Sequence, residues 1–231
     1  MKKIFISFII LILAVMSLNS ESIYSIGANY NYFNENSVYK NEESLSILHG
    51  IGFDFSYRFF SSEQGAETGF NINADDGSFI YTNQTSFDVG FWYSLNVDLP
   101  LLTSINTGDV AISLKHNENG FWALIMDNIC GASFSMNFSP AFSIDFSLGP
   151  KIGFFYINQN SMTNLTFGVA AELGGRVYFK NSKTNSNDMG IGFGSKVGYD
   201  FYSIAQAYYP DDYSKYRIFS VTPFISFMLR K

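Results

Sequence analysis

One cysteine and two histidines in 231 residues leave little material for metal or nucleophilic chemistry. A disulfide framework is excluded, because Cys130 has no partner in the chain. The usual zinc sets need more imidazole and thiolate than this. Charge is also scarce: Asp, Glu, Lys and Arg make up 15% of the residues, against ~25% in an ordinary soluble domain, so much of the surface is not expected to face water. The 14 basic residues are thinly spread against 20 acidic ones, for a net charge of −6. That balance removes the electrostatic footprint of a nucleic-acid binder. What is abundant is aromatic: 25 Phe and 15 Tyr lift the aromatic fraction to 18%. This composition excludes disorder, and the length suits a single, large all-β domain.

Long apolar runs are missing too, with one exception. Lys2 and Lys3 precede an apolar stretch from Ile4 to Met16, and small polar residues follow. This is the layout of a secretory signal peptide, too short for a spanning helix of ~20 residues. Cleavage fits after Ser20 or after Ser22. Small residues at −3 and −1 favour Ser22, giving a leader over residues 1–22 and one domain over 23–231. Cys130 lies far from this junction, so no lipid anchor is expected there. Beyond residue 22 no stretch is long enough for a membrane helix, so any membrane crossing has to be made by strands.

Strands place successive side chains on opposite faces, and that two-residue period runs through the chain. Tyr24, Ile26, Ala28, Tyr30 and Tyr32 oppose Ser25, Gly27, Asn29 and Asn31. Ile51, Phe53, Phe55 and Tyr57 oppose Gly52, Asp54, Ser56 and Arg58. The same separation holds over Phe87–Leu99, from Phe142 to Tyr156, and over Leu165–Phe179, where Leu173 and Val177 oppose Glu172 and Arg176. It recurs over 190–201 and 218–230. Several runs exceed the ~5–6 residues of a globular strand and suit a tilted membrane strand.

Three spans are less regular. Residues 110–115 alternate before a turn at Asn119-Gly120. From Phe121 to Phe138 the even positions are apolar, with a bulge or break expected over Asp127–Gly131. Over Thr68–Tyr81, Asp75-Asp76-Gly77 reads as a turn, a bulge or the start of a loop. The expectation is about ten strands, with eight as the main alternative, and turns on the terminal side at 61–67, 100–107, 139–141 and 181–188. An even number puts both termini on one side.

The apolar face is aliphatic and aromatic over long spans, whereas the polar face is rich in Gly, Ser and Asn and carries its charges singly. Turned inside out relative to a soluble sandwich, this describes a closed antiparallel barrel whose apolar band meets lipid. At this point the chain resembles the small outer-membrane β-barrel superfamily, the OmpA/OmpW/opacity-like group without a peptidoglycan-binding domain. The likeness rests on the alternation and on phrases such as Ser139-Pro140-Ala141-Phe142-Ser143-Ile144-Asp145 at a short turn. The last strand alternates as the C-terminal assembly signals of such barrels do, but ends Phe227-Met228-Leu229-Arg230-Lys231 rather than in an aromatic residue. The resemblance implies export, residence in the bacterial outer membrane, and lipid as the immediate partner.

No catalytic constellation emerges. His49 has lipid-facing parity and His116 sits at a strand end, so neither forms an acid–base set. The segment from Asn71 to Gly77 is superficially like a calcium loop, but Asp76 stands where its glycine belongs. The alternating Gly190, Gly192 and Gly194 make room inside a barrel rather than a phosphate cradle, since no helix follows. No cofactor is expected. The candidate residues are the inward charges Asp54, Arg58, Asp145, Lys151, Glu172, Arg176, Lys196 and Asp200. Placed at their depths they predict a network: Arg176 near Asp145, and Glu172 near Lys196, with Asp54 and Arg58 reaching across. Trp92, Phe155, Tyr178, Tyr202 and Phe224 are expected to fill the remaining interior. Tyr208, Tyr209, Asp211, Asp212 and Tyr213 mark a loop able to contact an extracellular ligand. The functional expectation is a non-enzymatic barrel with a structural or surface-interaction role, a narrow small-solute pore being the alternative and a lipid-modifying enzyme a distant third.

Overall fold

The two-residue period becomes long strands that pair edge to edge until the ring closes. The structure, a computed structural model, describes residues 20–39, 42–61, 70–72, 79–81, 86–107, 110–115, 122–139, 141–157, 162–179, 189–204 and 213–231. Its strands are β1 (Ser20–Tyr39), β2 (Glu42–Ser61), β3 (Phe70–Ile72), β4 (Phe79–Tyr81), β5 (Ser86–Thr107), β6 (Val110–Lys115), β7 (Ala123–Ser139), β8 (Phe142–Ile157), β9 (Met162–Phe179), β10 (Met189–Ser203) and β11 (Tyr213–Arg230). Eight of them form the wall in the order β1-β2-β5-β7-β8-β9-β10-β11, and β11 returns to β1. Each pairing is antiparallel.

The wall therefore has eight strands, the alternative count, rather than ten, and the two strands drop out for separate reasons. Around Asp75-Asp76-Gly77, Phe70–Ile72 pairs with Phe79–Tyr81 in a small sheet of its own. Three residues are too few to cross a wall built from strands of 15 to 22. The second loss is the expected turn at 100–107, which instead continues β5 to Thr107. Pro100 is accommodated at a bulge, where the register with β2 steps from Gly50↔Pro100 to His49↔Leu102. A bulge tolerates a residue without an N–H and shifts the side-chain alternation. Accordingly Leu99 and Leu101 point out, while Thr103 is buried. β6 folds back only on the far end of β5, lengthening one hairpin without adding a wall strand.

Of the bulge or break expected over Asp127–Gly131, the structure shows only a gap toward β8, where the ladder passes from Ile129↔Lys151 to Ala132↔Leu148 with no change of register. β7 pairs with β5 without interruption from Asp98↔Ile125 to Ser86↔Asn137. Losing two strands keeps the number even, so Ser20 and Lys231 both lie at one end, called the terminal end here. Ser22 N–H donates to the Lys231 carbonyl (3.0 Å) and Lys231 N–H to that of Ser22 (2.8 Å). β1 thus begins before the expected boundary at residue 23.

Polarity is inverted relative to a water-soluble barrel. Ile26, Ile51, Phe53, Phe55, Phe146, Leu148, Leu173, Phe193 and Ile225 are exposed on the outside, Leu173 by 62%. Apolar surface wrapping a whole molecule is not tolerated in water. Aromatic girdles bracket this band. Near the terminal end Tyr24 and Tyr57 lie 5.0 Å apart, ring to ring. Toward the far end Tyr30 shares a 2.7 Å hydrogen bond with His49 Nδ1, and Tyr32 meets the His49 ring edge-on. From Tyr24 to Tyr32 the strand advances about 26 Å, or about 20 Å in height at the usual tilt, comparable with the apolar band of such barrels. Among the described residues no helix is long and apolar enough to cross a membrane.

Candidate functional site

An eight-stranded barrel has an interior just wide enough for side chains to fill, and the inward parity determines which ones do. All eight charges singled out above, Asp54, Arg58, Asp145, Lys151, Glu172, Arg176, Lys196 and Asp200, are inside and no more than 4% exposed. Isolated charges in so dry a space carry a desolvation cost of several kcal/mol each, which close pairing offsets.

The pairs form two groups. In the terminal half, Arg176 Nη2 donates to Asp145 Oδ1 at 2.8 Å, and its Nε lies 2.7 Å from Oδ2. Arg58 Nη2 donates to Glu172 Oε1, and Arg58 Nε lies 3.9 Å from Asp145 Oδ2. Lys196 donates to Asp54, to Ser94 Oγ (2.7 Å) and to Asn96 Oδ1 (2.9 Å), with Glu172 Oε2 at 3.9 Å. Three cations and three carboxylates balance here. In the far half, Lys151 lies between Asp127 (3.1 Å) and Asp200 (3.2 Å), and Thr166 donates to Asp200 Oδ2 (2.9 Å). Lys151 and Asp200 therefore belong to a different cluster from the terminal-side six.

Apolar plugs close both groups. Ile23, Phe60, Tyr178 and Met228 pack at the terminal end. Phe33, Leu48, Ile125, Phe155, Tyr216 and Ile218 pack at the far end, and Trp92, Ile129 and Ala170 pack between. Cations lie against these rings: Arg176 is 5.2 Å from the centre of Phe60, Lys196 5.1 Å from Phe224 and Lys151 6.0 Å from Phe33. The cavity left around Arg58, Asp145, Glu172 and Arg176 has room on the order of one water. Of the bulky groups expected inside, Trp92, Phe155 and Tyr178 are buried and Phe224 half-buried. Tyr202 is outside, 42% exposed. The register between β10 and β9 skips Phe201, stepping from Asp200↔Gly168 to Tyr202↔Phe167, and this bulge turns Tyr202 outward.

Among the described residues three further carboxylates are buried inside and were not among the candidates. Asp127 was hidden by the bulge or break expected in β7, where the even-numbered apolar pattern is interrupted at Asn128 before resuming at Cys130, exposed on the outer face. Asp88 accepts a hydrogen bond from Asn137. Asp98, on the same inward parity, is buried near Asn29, Asn31 and Asp127 and outside the ion pairs of the described residues. Tyr208, Tyr209, Asp211 and Asp212 lie outside the described residues, as does His116, while Tyr213 opens β11.

No protein-family model matches the chain, and no curated protein matches it significantly. Solved structures do. Ail, the attachment invasion locus protein of Yersinia pestis, solved in complex with the heparin analogue sucrose octasulfate, is 10% identical; the match covers 92% of this chain and 100% of that one, with a TM-score of 0.45. The outer membrane protein OprG from Pseudomonas aeruginosa is 9% identical over 92% of this chain and 96% of its own, TM-score 0.46. Neisserial surface protein A is 5% identical over 88% and 95%, TM-score 0.42. The ring of eight antiparallel strands, the apolar outside and the ion-paired inside together make this chain a small closed β-barrel with its polarity turned inside out.

Proposed function

We propose that the chain is a non-enzymatic outer-membrane barrel, closed to solutes, whose work is done by its surface at the far, extracellular end. The observation that carries this reading is the interior, where two ion-paired groups lie between three apolar clusters. A solute path needs a water-lined passage, and here the buried cations are each ion-paired and apolar side chains cap both groups. Charge pairs that fill a lumen stiffen the wall, which suits a scaffold for surface contacts. Export rests on the leader-like residues Lys2, Lys3 and Ile4–Met16.

The test is planar-bilayer conductance of the refolded protein. A plugged barrel gives no discrete steps. Regular single-channel steps would replace this reading with the narrow small-solute pore.

A further inference from the structure

We infer that export processing hydrolyses the Ser20–Glu21 bond, so that Glu21 is the first residue of the mature barrel. This rests on the reading of the N-terminus as a cleaved leader, and chooses between the two cleavage positions that the sequence allows.

The choice comes from what the folded barrel does with residues 20–22. β1 is already paired with β2 there, as Glu21↔Phe60 and Ser22↔Phe59. Ser22 makes both backbone hydrogen bonds to Lys231 on the other side, forming the last rung of the seam between the first and last strands. The Glu21 side chain serves two guanidinium groups at once: Oε1 lies 3.7 Å from Arg176 Nη1 and 3.7 Å from Arg230 Nε. Arg176 is nearly buried, beneath Phe60 and Tyr178, and Asp145 answers it only from the inner side. For Arg230, Glu21 is the one acidic partner within ion-pair distance among the described residues.

Cleavage after Ser22 removes all of this. The mature chain would begin at Ile23, the last rung of the closing seam would vanish, and Arg230 would lose its carboxylate. A leader residue discarded before folding has no reason to complement the folded barrel, whereas Glu21 answers guanidinium groups on β9 and on β11. Cleavage after Ser20 keeps every one of these contacts and gives up only the terminal Ser20↔Ser61 pairing of β1 with β2. It presents a small residue, Ser20, at −1 and a large one, Leu18, at −3, so the folded contacts, and not the small-x-small pattern that favours Ser22, select this bond. The reaction is a simple hydrolysis by a membrane-bound peptidase of the export pathway. Water adds across the Ser20–Glu21 amide, leaving a carboxylate on Ser20 and an amine, protonated at neutral pH, on Glu21.

N-terminal sequencing and intact mass of the folded protein extracted from the cell envelope decide the matter. The expected start is Glu-Ser-Ile-Tyr-Ser. A start at Ile23, or anywhere upstream of Glu21, overturns the inference. Retention of Met1 overturns the leader reading along with it, and leaves the barrel's proposed role to its own conductance test.

Discussion

Arg176 on β9 and Asp145 on β8 meet inside the barrel through two contacts, Nη2 to Oδ1 at 2.8 Å and Nε to Oδ2 at 2.7 Å. Their strands are neighbours, and the register sets Asp145 opposite Gly174, two residues before Arg176, so the guanidinium reaches diagonally over a position without a side chain. Ser135 and Tyr178 accept further hydrogen bonds from it, at 2.6 and 2.7 Å. Removing one partner strips the other buried charge of its closest counter-ion. Arg176→Met is therefore expected to cost about 3–5 kcal/mol in unfolding from lipid vesicles. Arg176→Met with Asp145→Leu should recover most of that loss, and a double variant no more stable than the single one would contradict the pairing.

Leu173 and Glu172 are adjacent in β9 yet meet opposite environments, Leu173 fully outside and Glu172 fully inside. Leu173→Arg should cost roughly 2–4 kcal/mol near mid-bilayer, and much less near the interface. Cysteines placed at Phe53, Phe55, Leu173 and Val177 should react with a lipid-soluble spin probe, and those at Gly52, Asp54, Glu172 and Arg176 should not. Equal labelling of both sets would reject the orientation.

Gly131 and Gly149 face each other between β7 and β8, so close that a Cβ on Gly149 would lie 2.8 Å from the Gly131 Cα and 2.7 Å from the Cys130 carbonyl carbon. The obstacle is backbone, which cannot swing aside as a side chain would. Gly149→Val is expected to destabilise the barrel by about 1–3 kcal/mol, read as a lower urea midpoint. Ala at the exposed, lipid-facing Ile152 of the same strand should have a smaller effect.

Glu172 and Asp54 hold Arg58 and Lys196 in the terminal half. Neutralising both, as Glu172→Gln with Asp54→Asn, leaves those cations unanswered, and water is the solvent able to stabilise them. Ion conductance should rise from the closed baseline of the native protein. Conductance that is already high and does not change would favour an open pore.

Much of this was legible because membrane barrels write their faces into sequence with a strict period of two. The alternation assigned Phe53 and Leu173 to the outside and Asp54 and Glu172 to the inside, and depth counting along neighbouring strands put Arg176 beside Asp145. The count of strands was harder, since alternation reports that a segment is extended and not what it pairs with. Residues 110–115 alternate as a wall strand would, yet they pair only with the far end of β5. Bulges defeated local reasoning for a related reason. Pro100 looked like a turn and Tyr202 like an inward residue, because nothing in the neighbouring residues announces where a partner strand drops one out of register. Asp127 was lost to an expected break at Asp127–Gly131, where the small and polar residues in fact let β7 and β8 approach closely without interruption of the ladder to β5.

The central claim is that these strands form a closed barrel in the outer membrane, and heat modifiability tests it most directly. Envelope fractions are separated and run with and without boiling on a denaturing gel. The account predicts that the protein resides in the outer-membrane fraction and that the unboiled form migrates differently from the boiled one, as detergent-resistant closed barrels do. Recovery as a soluble periplasmic monomer with the same mobility under both conditions would contradict it.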